Sequence, residues 1–460
     1  MKKGLVLLFA LVMSISLLTF PLLAGGQKEG AEAKGVAKKV YFSSGETSPK
    51  QVKLFETLEQ EYEALHPDID IVYERLVTSM GPLFVAAMAA GVPKSVYNLG
   101  TQEVMEFWPQ DVFLPLNDVV DDIGRDDFNP WAVKTMKGND LAISYAGSMR
   151  VLLLRRDLLN KEGLEIPKTH AEFVEAARRL TRDNDGDGVI DVYGIGLPGS
   201  EGFATGYYAQ EFLWQRGGQV FDKDLNITID QPESMAGIAT YVELLKNGPP
   251  GARTWTWSEH RSAYAAGRVA MAVMGGREPS KIGMQIPDIA AVTELAPLPY
   301  DKIKVNTGGA DNYVVPKTCP NVEEAKEFLK WILTGDRALR FYSAVPGHLL
   351  PILKSQGAEF LAYVPSDPDA SRYIKEHKDW LDVIFNECAP YAVDFSEVGV
   401  IQGGKVVPTN VFLPSELAAR MYGEPALLSQ VIYKVAWEGW NIEDAVAWGV
   451  EELEKVKAEM

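Results

Sequence analysis

The stretch Tyr264-Ala-Ala-Gly-Arg-Val-Ala-Met-Ala-Val-Met-Gly-Gly276 reads as the end of a helix, a stop, a buried strand and a bare tip. Gly267 stands where a helix C-terminus calls for a left-handed residue. Val269 to Met274 is a short apolar run bounded by glycines, the pattern of a buried parallel strand. Gly275 and Gly276 leave main-chain N–H groups uncovered, which suits either close approach of a ligand or a tight strand-to-loop turn.

Outward from this stretch the same alternation recurs. Upstream, Val40 to Phe42 reads as a strand, and Pro49 opens a helix with Val52, Phe55, Leu58, Tyr62 and Leu65 on one face. Ile69, Ile71 and Tyr73 alternate with charged residues, a strand period. A helix near Leu83 to Ala90, a strand at Ser95 to Leu99 and a helix after Gly100-Thr101 follow. Leu141 to Tyr145 and Arg150 to Leu154 read as two further apolar runs. A second unit comprises a helix at His170 to Leu180, a strand near Tyr193 to Leu197, and helices through Tyr207 to Trp214 and Met235 to Leu245. Downstream, Val305 to Val315 is extended, Val322 to Leu333 is an amphipathic helix, and Leu427 to Met460 forms two closing helices. Alternating strands and helices predict an α/β protein with mainly parallel sheets flanked by helices.

The N-terminus carries Lys2 and Lys3, an apolar run from Leu5 to Leu23, and small residues after Pro21. It reads as a secretory signal peptide over 1–24, followed by a flexible tether over 25–39, so the protein is expected exported, periplasmic or extracellular, and soluble after cleavage. No cysteine lies at the junction for a lipid anchor. The remaining length exceeds one ordinary core and predicts two lobes. Net charge is −18, and more negative by two once Lys2 and Lys3 leave; this argues against a nucleic-acid partner. Cys319 and Cys388 are the only cysteines, open to a disulfide or to two buried thiols.

Phe212-Leu-Trp-Gln-Arg-Gly-Gly-Gln-Val-Phe221, Ala266 to Gly276, Gly308-Gly-Ala-Asp-Asn-Tyr-Val-Val-Pro-Lys317, Glu323 to Leu329 and Val345-Pro-Gly-His-Leu-Leu-Pro351 occur in an order that resembles the family 1 extracellular solute-binding proteins of ABC importers, the group that includes the maltodextrin-binding protein. The resemblance implies a two-lobe periplasmic-binding-protein fold of type II, with a hinge and an interlobe cleft. It places lobe one at 40–147 plus 298–343 and lobe two at 148–297 plus 344–460. It also implies a monomer that captures a carbohydrate without chemistry and delivers it to membrane permease subunits.

A sugar cleft needs flat apolar faces and fixed donors and acceptors. The candidates are Glu46, Thr101, Gln102, Tyr145, Arg150, Tyr207, Tyr208, Trp257, Gly275, Gly276, Arg277, Asp311 and His348; for each aromatic, core packing is the competing explanation. Arg277 departs from the family, which usually has an aromatic after the glycine pair. An arginine there admits an acidic sugar, the competing reading being a surface pair with Glu278.

Asp183-Asn-Asp185-Gly-Asp187-Gly-Val189-Ile-Asp191 has the alternate oxygen ligands of a calcium loop and predicts a structural Ca2+ held by Asp183, Asp185, Asp187, the Val189 carbonyl and Asp191. Its twelfth position is Gly194, so the last ligand must come from elsewhere, Glu201 being one candidate. An exported polysaccharide-acting enzyme is the second function class, and a ligand-binding sensor subunit the third. Against an enzyme, there is no nucleophile elbow or zinc helix, and the five histidines are scattered.

Overall fold

The computed structural model describes residues 37–460 apart from 47, 77–79 and 408. The expected leader and most of the tether therefore lie outside the described residues, and the tether ends earlier than expected, because Lys38 already pairs in a strand. In chain order the main strands are β1 (Lys38–Ser44), β2 (Ile69–Arg75), β3 (Tyr97–Gly100), β4 (Val133–Met136), β5 (Asn139–Arg155), β6 (Tyr193–Gly196), β7 (Val269–Gly275), β8 (Thr293–Ala296), β9 (Asn306–Val314) and β10 (Ala392–Asp394).

The frame is set by β5. The two apolar runs expected from the sequence are one 17-residue strand, whose first part pairs antiparallel with β4 and β9 and whose second part pairs with β7 and β8. Through it eight strands form one sheet of order β10-β9-β5-β7-β6, with β3 on β9 and both β4 and β8 on β5. β1 and β2 pair parallel beside it. The sheet is mixed rather than mainly parallel, because the strand shared by the two halves runs against its neighbours on either side. A continuous strand also explains Ala146 to Met149: every residue there is in the ladder with β9.

Helices cover both halves. Helix Pro49–Leu65 starts on a proline whose missing N–H costs nothing at that position, and turns Phe55, Leu58 and Tyr62 inward. Helix His170–Leu180 is fixed at its start by a capping box between Thr169 and Glu172 and buries Phe173, Ala176, Ala177 and Leu180. Helix Phe203–Arg216 begins four residues before the expected Tyr207, is buried nearly throughout, and stops at Gly217 with φ +91°. One core gathers Phe42, Phe55, Tyr62, Tyr145, Tyr313 and Phe328, and extends to Ile282, Tyr373 and Trp380. A second gathers Phe173, Phe212, Tyr241, Val431 and Leu453. β7 divides its side chains between the two. Both Cys319 and Cys388 are buried free thiols.

Buried polar groups stitch the crossing. Asn306 accepts from the Arg150 N–H at 2.8 Å and donates to the Arg150 carbonyl at 2.7 Å, a side-chain imitation of a ladder pair. Asp394 of β10 accepts from Thr101 Oγ1 at 2.7 Å and Lys134 Nζ at 3.2 Å, tying β10 to β4 and to the end of β3. Lys134 and Asp394 are both almost wholly buried, so removing either leaves an uncompensated charge.

Gly194 of β6 shows why the acidic loop departs from the calcium pattern at its twelfth position. A Cβ there would lie 1.8 Å from the Ala177 carbonyl oxygen of helix His170–Leu180, and that oxygen is backbone. Gly194→Ala is therefore expected to lower stability by about 3 kcal/mol through overpacking. Urea unfolding should show the midpoint falling with an unchanged slope.

Candidate functional site

A cavity of about 270 Å³ opens where β5 and β9 meet the chain turns at either side of them. Its wall is made by Gly45 and Glu46 after β1, Asn98 of β3, Tyr145 to Ser148 of β5, Gly309 and Asp311 of β9, Arg277 after β7, and His348 and Leu349, with Met80 alongside. Five of the thirteen candidates from the sequence thus come together: Glu46, Tyr145, Arg277, Asp311 and His348.

Local structure fixes each of them. The Gly45 N–H donates to Asn98 Oδ1 at 2.8 Å, and a Cβ on Gly45 would lie 2.8 Å from Met80 Sδ and 2.9 Å from Asn98 Oδ1, so the chain turns tightly and delivers Glu46 to the wall. Tyr145 stacks on Tyr313 with centroids 4.5 Å apart, and its hydroxyl donates to Glu46 Oε1 at 3.2 Å. Asp311 sits in the β9 ladder opposite Gly100 and Ala146, a position that faces its side chain to the cavity.

Among the described residues Arg277 is the one cation in this wall. Its Nε and Nη2 both donate to His348 Nε2, at 3.1 and 2.8 Å, and its Nη2 approaches Glu46 Oε2 at 3.9 Å. The expected Arg277–Glu278 pair does not form; Glu278 pairs with Arg261 at 3.2 Å. For His348 to accept at Nε2 its imidazole must be neutral, and burial together with the Arg277 charge brings it down to about 3. Burial pushes the Glu46 carboxyl up, against the pull of Arg277 and the Tyr145 hydrogen bond. Burial, then the charges of Glu46, Glu103 and Asp394, push Asp311 up to about 7, and Arg277 opposes them.

The other candidates lie elsewhere. Thr101 is buried, holding Asp394, and Gln102 follows it on helix Thr101–Phe107 outside the cavity wall. Arg150 is buried with its guanidinium 4.0 Å from the Tyr207 ring centroid and 4.4 Å from that of Tyr208, a stacked cation–π arrangement. Tyr208 also meets His260 Nε2 at 3.3 Å. Trp257 packs among Phe203 and Tyr207, with centroids 5.8 and 5.4 Å away. Gly275 pairs with Arg150 in the ladder. At Gly276 the close approach comes from the chain itself, since a Cβ would lie 1.9 Å from the Gly347 carbonyl oxygen. Sequence reasoning missed Asn98, Met80, Ser148 and Gly309. Gly309 belonged to a stretch already singled out and Ser148 lay between two apolar runs; Asn98 and Met80 carried no local signal.

Far along the chain, Asp183, Asp185 and Asp187 bring carboxylate oxygens within 4.8 Å of one another. Asp183 accepts from the N–H groups of Gly186 and Gly188, both at 2.7 Å, and these bonds, the Gly188 one foremost, hold its carboxyl below the usual range. Asp191 Oδ2 accepts from the Asn184 N–H at 2.7 Å. Glu201 does not complete the loop: its Oε1 faces Gln430 Nε2 at 3.5 Å.

Comparison places the chain among known proteins. The family model described as bacterial extracellular solute-binding protein matches residues 45–336. A maltotriose-binding protein of Pyrococcus abyssi is 25% identical over 321 residues, covering 66% of this chain and 64% of that one. The match thus spans less than two thirds of that relative. An ABC transporter solute-binding protein from Thermotoga lettingae solved with alpha-D-tagatose superposes with a TM-score of 0.69 at 20% identity, covering 91% of this chain and all of that one. Maltose-bound T. maritima MalE3 gives 0.68 at 22%, with the same coverage. These two structures share the fold, a two-lobed α/β architecture of type II. Among the described residues no helix is long and apolar enough to cross a membrane.

The raised Asp311 carboxyl has a stability consequence of definite sign. Its folded value, about 7, exceeds the ordinary 3.8, so the stability it contributes is complete below about pH 4 and is lost as pH rises through 7. Asp311→Asn, which cannot ionise, is expected to melt higher than the parent at pH 8, with the difference disappearing by pH 4. Melting curves of the ligand-free protein across that range check it.

Proposed function

We propose that this chain, which belongs to the bacterial extracellular solute-binding protein family, captures a carbohydrate outside the cytoplasmic membrane and delivers it to the permease of an ABC importer. The observation that carries the reading is the cavity itself. It lies at the crossing of β5 and β9 and combines acceptors, donors and the edge of an aromatic stack in one wall. Such a wall can position a ligand through hydrogen bonds and apolar contact. Asn98 and Arg277 supply donors, and Glu46, Asp311 and the Tyr145 oxygen supply acceptors. The relatives named above bind maltotriose, tagatose or maltose, which supports a sugar as the ligand class.

The two lobes meet along the crossings, and a ligand that touches both favours the closed form by its differential affinity. Sequences 40–147 with 298–343, and 148–297 with 344–460, are the proposed lobes. The protein works as an exported monomer, without nucleic acid. Tight binding stabilises the folded state by about 2.7 kcal/mol when ligand is a hundredfold above its dissociation constant. A matching sugar is therefore expected to raise the melting point. Arg277→Ala, which removes a wall donor and releases His348, is expected to weaken binding about tenfold, one lost charged hydrogen bond being worth roughly 1.5 kcal/mol. An unchanged dissociation constant removes Arg277 from the site. Appearance of new reducing ends on incubation with oligosaccharide overturns the transport reading in favour of hydrolysis.

We also propose a structural Ca2+ in the loop of Asp183, Asp185, Asp187, the Val189 carbonyl and Asp191. The three convergent carboxylates, with Asp183 held by the N–H groups of Gly186 and Gly188, support a hard cation with oxygen ligands. Removing free calcium with a chelator is expected to lower the melting point and added calcium to restore it. Asp185→Asn should abolish that sensitivity; a chelator-insensitive parent excludes the ion.

A further inference from the structure

We propose that the sugar or polyol taken by this cavity carries a protonated amine, seated between Asp311 and Glu46. This rests on the carbohydrate-capture reading and deepens it. Arg277 admits an acidic sugar, but the groups around it favour the opposite charge.

Two carboxyl groups and one guanidinium form the charged part of the wall. The guanidinium is already engaged, for two of its nitrogens converge on His348 Nε2 and the same group leans toward Glu46. Three of its five N–H groups remain for ligand hydroxyls, but its charge is already offset by Glu46 beside it, which leaves less to attract a ligand carboxylate. The carboxyl groups are the reverse. Asp311 accepts no hydrogen bond from the described residues and is half-buried in the cavity wall. Glu46 has one close donor, the Tyr145 hydroxyl at 3.2 Å. Most of their lone pairs are therefore unspent and turned toward the same space.

Carboxyl groups drawn wholly or partly out of water without full partners are costly, and a ligand gains by relieving that cost. A hydroxyl offers one donor and no charge. An ammonium offers three donors and a full positive charge, enough to serve both carboxyl groups at once. A uronate brings a third carboxylate into a wall that already holds two, a repulsion that discriminates against it. The raised Asp311 carboxyl is consistent with a group awaiting a cation, since Glu46, Glu103 and Asp394 raise it and Arg277 lowers it. About 270 Å³ is the lower end of ligand sites, suited to a single ring or the end of a short chain.

The test is a thermal-shift screen of the full mature chain against matched sets of glucose, galactose and mannose. Each set holds the neutral sugar, its 2-amino form, the N-acetylated amine and the uronate, with the corresponding disaccharides where they exist. Dissociation constants of every compound that shifts the melt are then measured by calorimetry at pH 7.5. The expected result is an amine at least tenfold tighter than its neutral and N-acetylated counterparts, and no binding of the uronate. Asp311→Asn, and separately Glu46→Gln should the first variant fold poorly, is expected to narrow the preference to about twofold. A neutral sugar or uronate that binds as tightly as the amine, or a preference that survives both variants, overturns the inference and leaves sugar capture standing. If no member of any set binds, carbohydrate capture itself fails, and the inference with it.

Discussion

Everything in this molecule depends on β5 being unbroken. A strand of 17 residues is long for a globular protein, and it is held by partners on both sides at both ends. Because its side chains alternate, a slip of one residue would exchange the cavity face for the core face along its whole length. The register is pinned where slipping is most tempting, at the small residues Ala146, Gly147 and Ser148. There, a Cβ on Gly147 would sit 2.5 Å from the Trp131 ring, and Gly147 exchanges backbone hydrogen bonds with Leu350, the shorter at 2.7 Å. Beyond them Asn306 clasps Arg150 on both backbone groups. The segment is narrow enough to leave a space beside it and too constrained to wander.

From that constraint follows the character of the site. Small residues in the crossing make room, and neighbouring elements fill part of the room with polar groups that cannot reach one another well. Glu46 is buried and Asp311 half-buried beside Tyr145 and the glycines of the wall, and Arg277 turns to His348. The buried pair Lys134 and Asp394 lies near the same crossing but satisfies itself, with Thr101 and Ser396 adding hydrogen bonds. One carboxylate has been assigned to architecture and another to the cavity, and their partners are what distinguish them.

Much of the fold was legible in the sequence because it is written locally. The helix His170–Leu180 announces both ends, and Gly267, with φ +70°, stops a helix where its position demanded. The single strand from Asn139 was not legible, since Ala146-Gly-Ser looks like a turn until a partner strand is supplied. Among site residues, Glu46, Arg277 and His348 lie at turns next to glycines, and Tyr145 and Asp311 lie within strands two residues from one, in glycine-marked stretches where the chemistry can be guessed. Tyr207, Tyr208 and Arg150 have the same residue types, yet they stack on one another beneath the surface. Which face an aromatic turns is decided by packing across the chain, and no spacing records it. Asn98 and Met80 enter the wall through the register of β3 and the tight turn at Gly45, both long-range facts.

The contact between Gly276 and Gly347 bears on how such a protein changes what it recognises. The two backbones touch where neither residue can carry a side chain, so the tips after β7 and before Leu349 are locked as a hook in its eye. Arg277 and His348 stand one residue beyond the lock, on the same side of the cavity. In the proposed site, exchanging those two side chains together alters the ligand-facing chemistry while the backbone beneath them stays untouched. Specificity here is interchangeable hardware on a fixed mount.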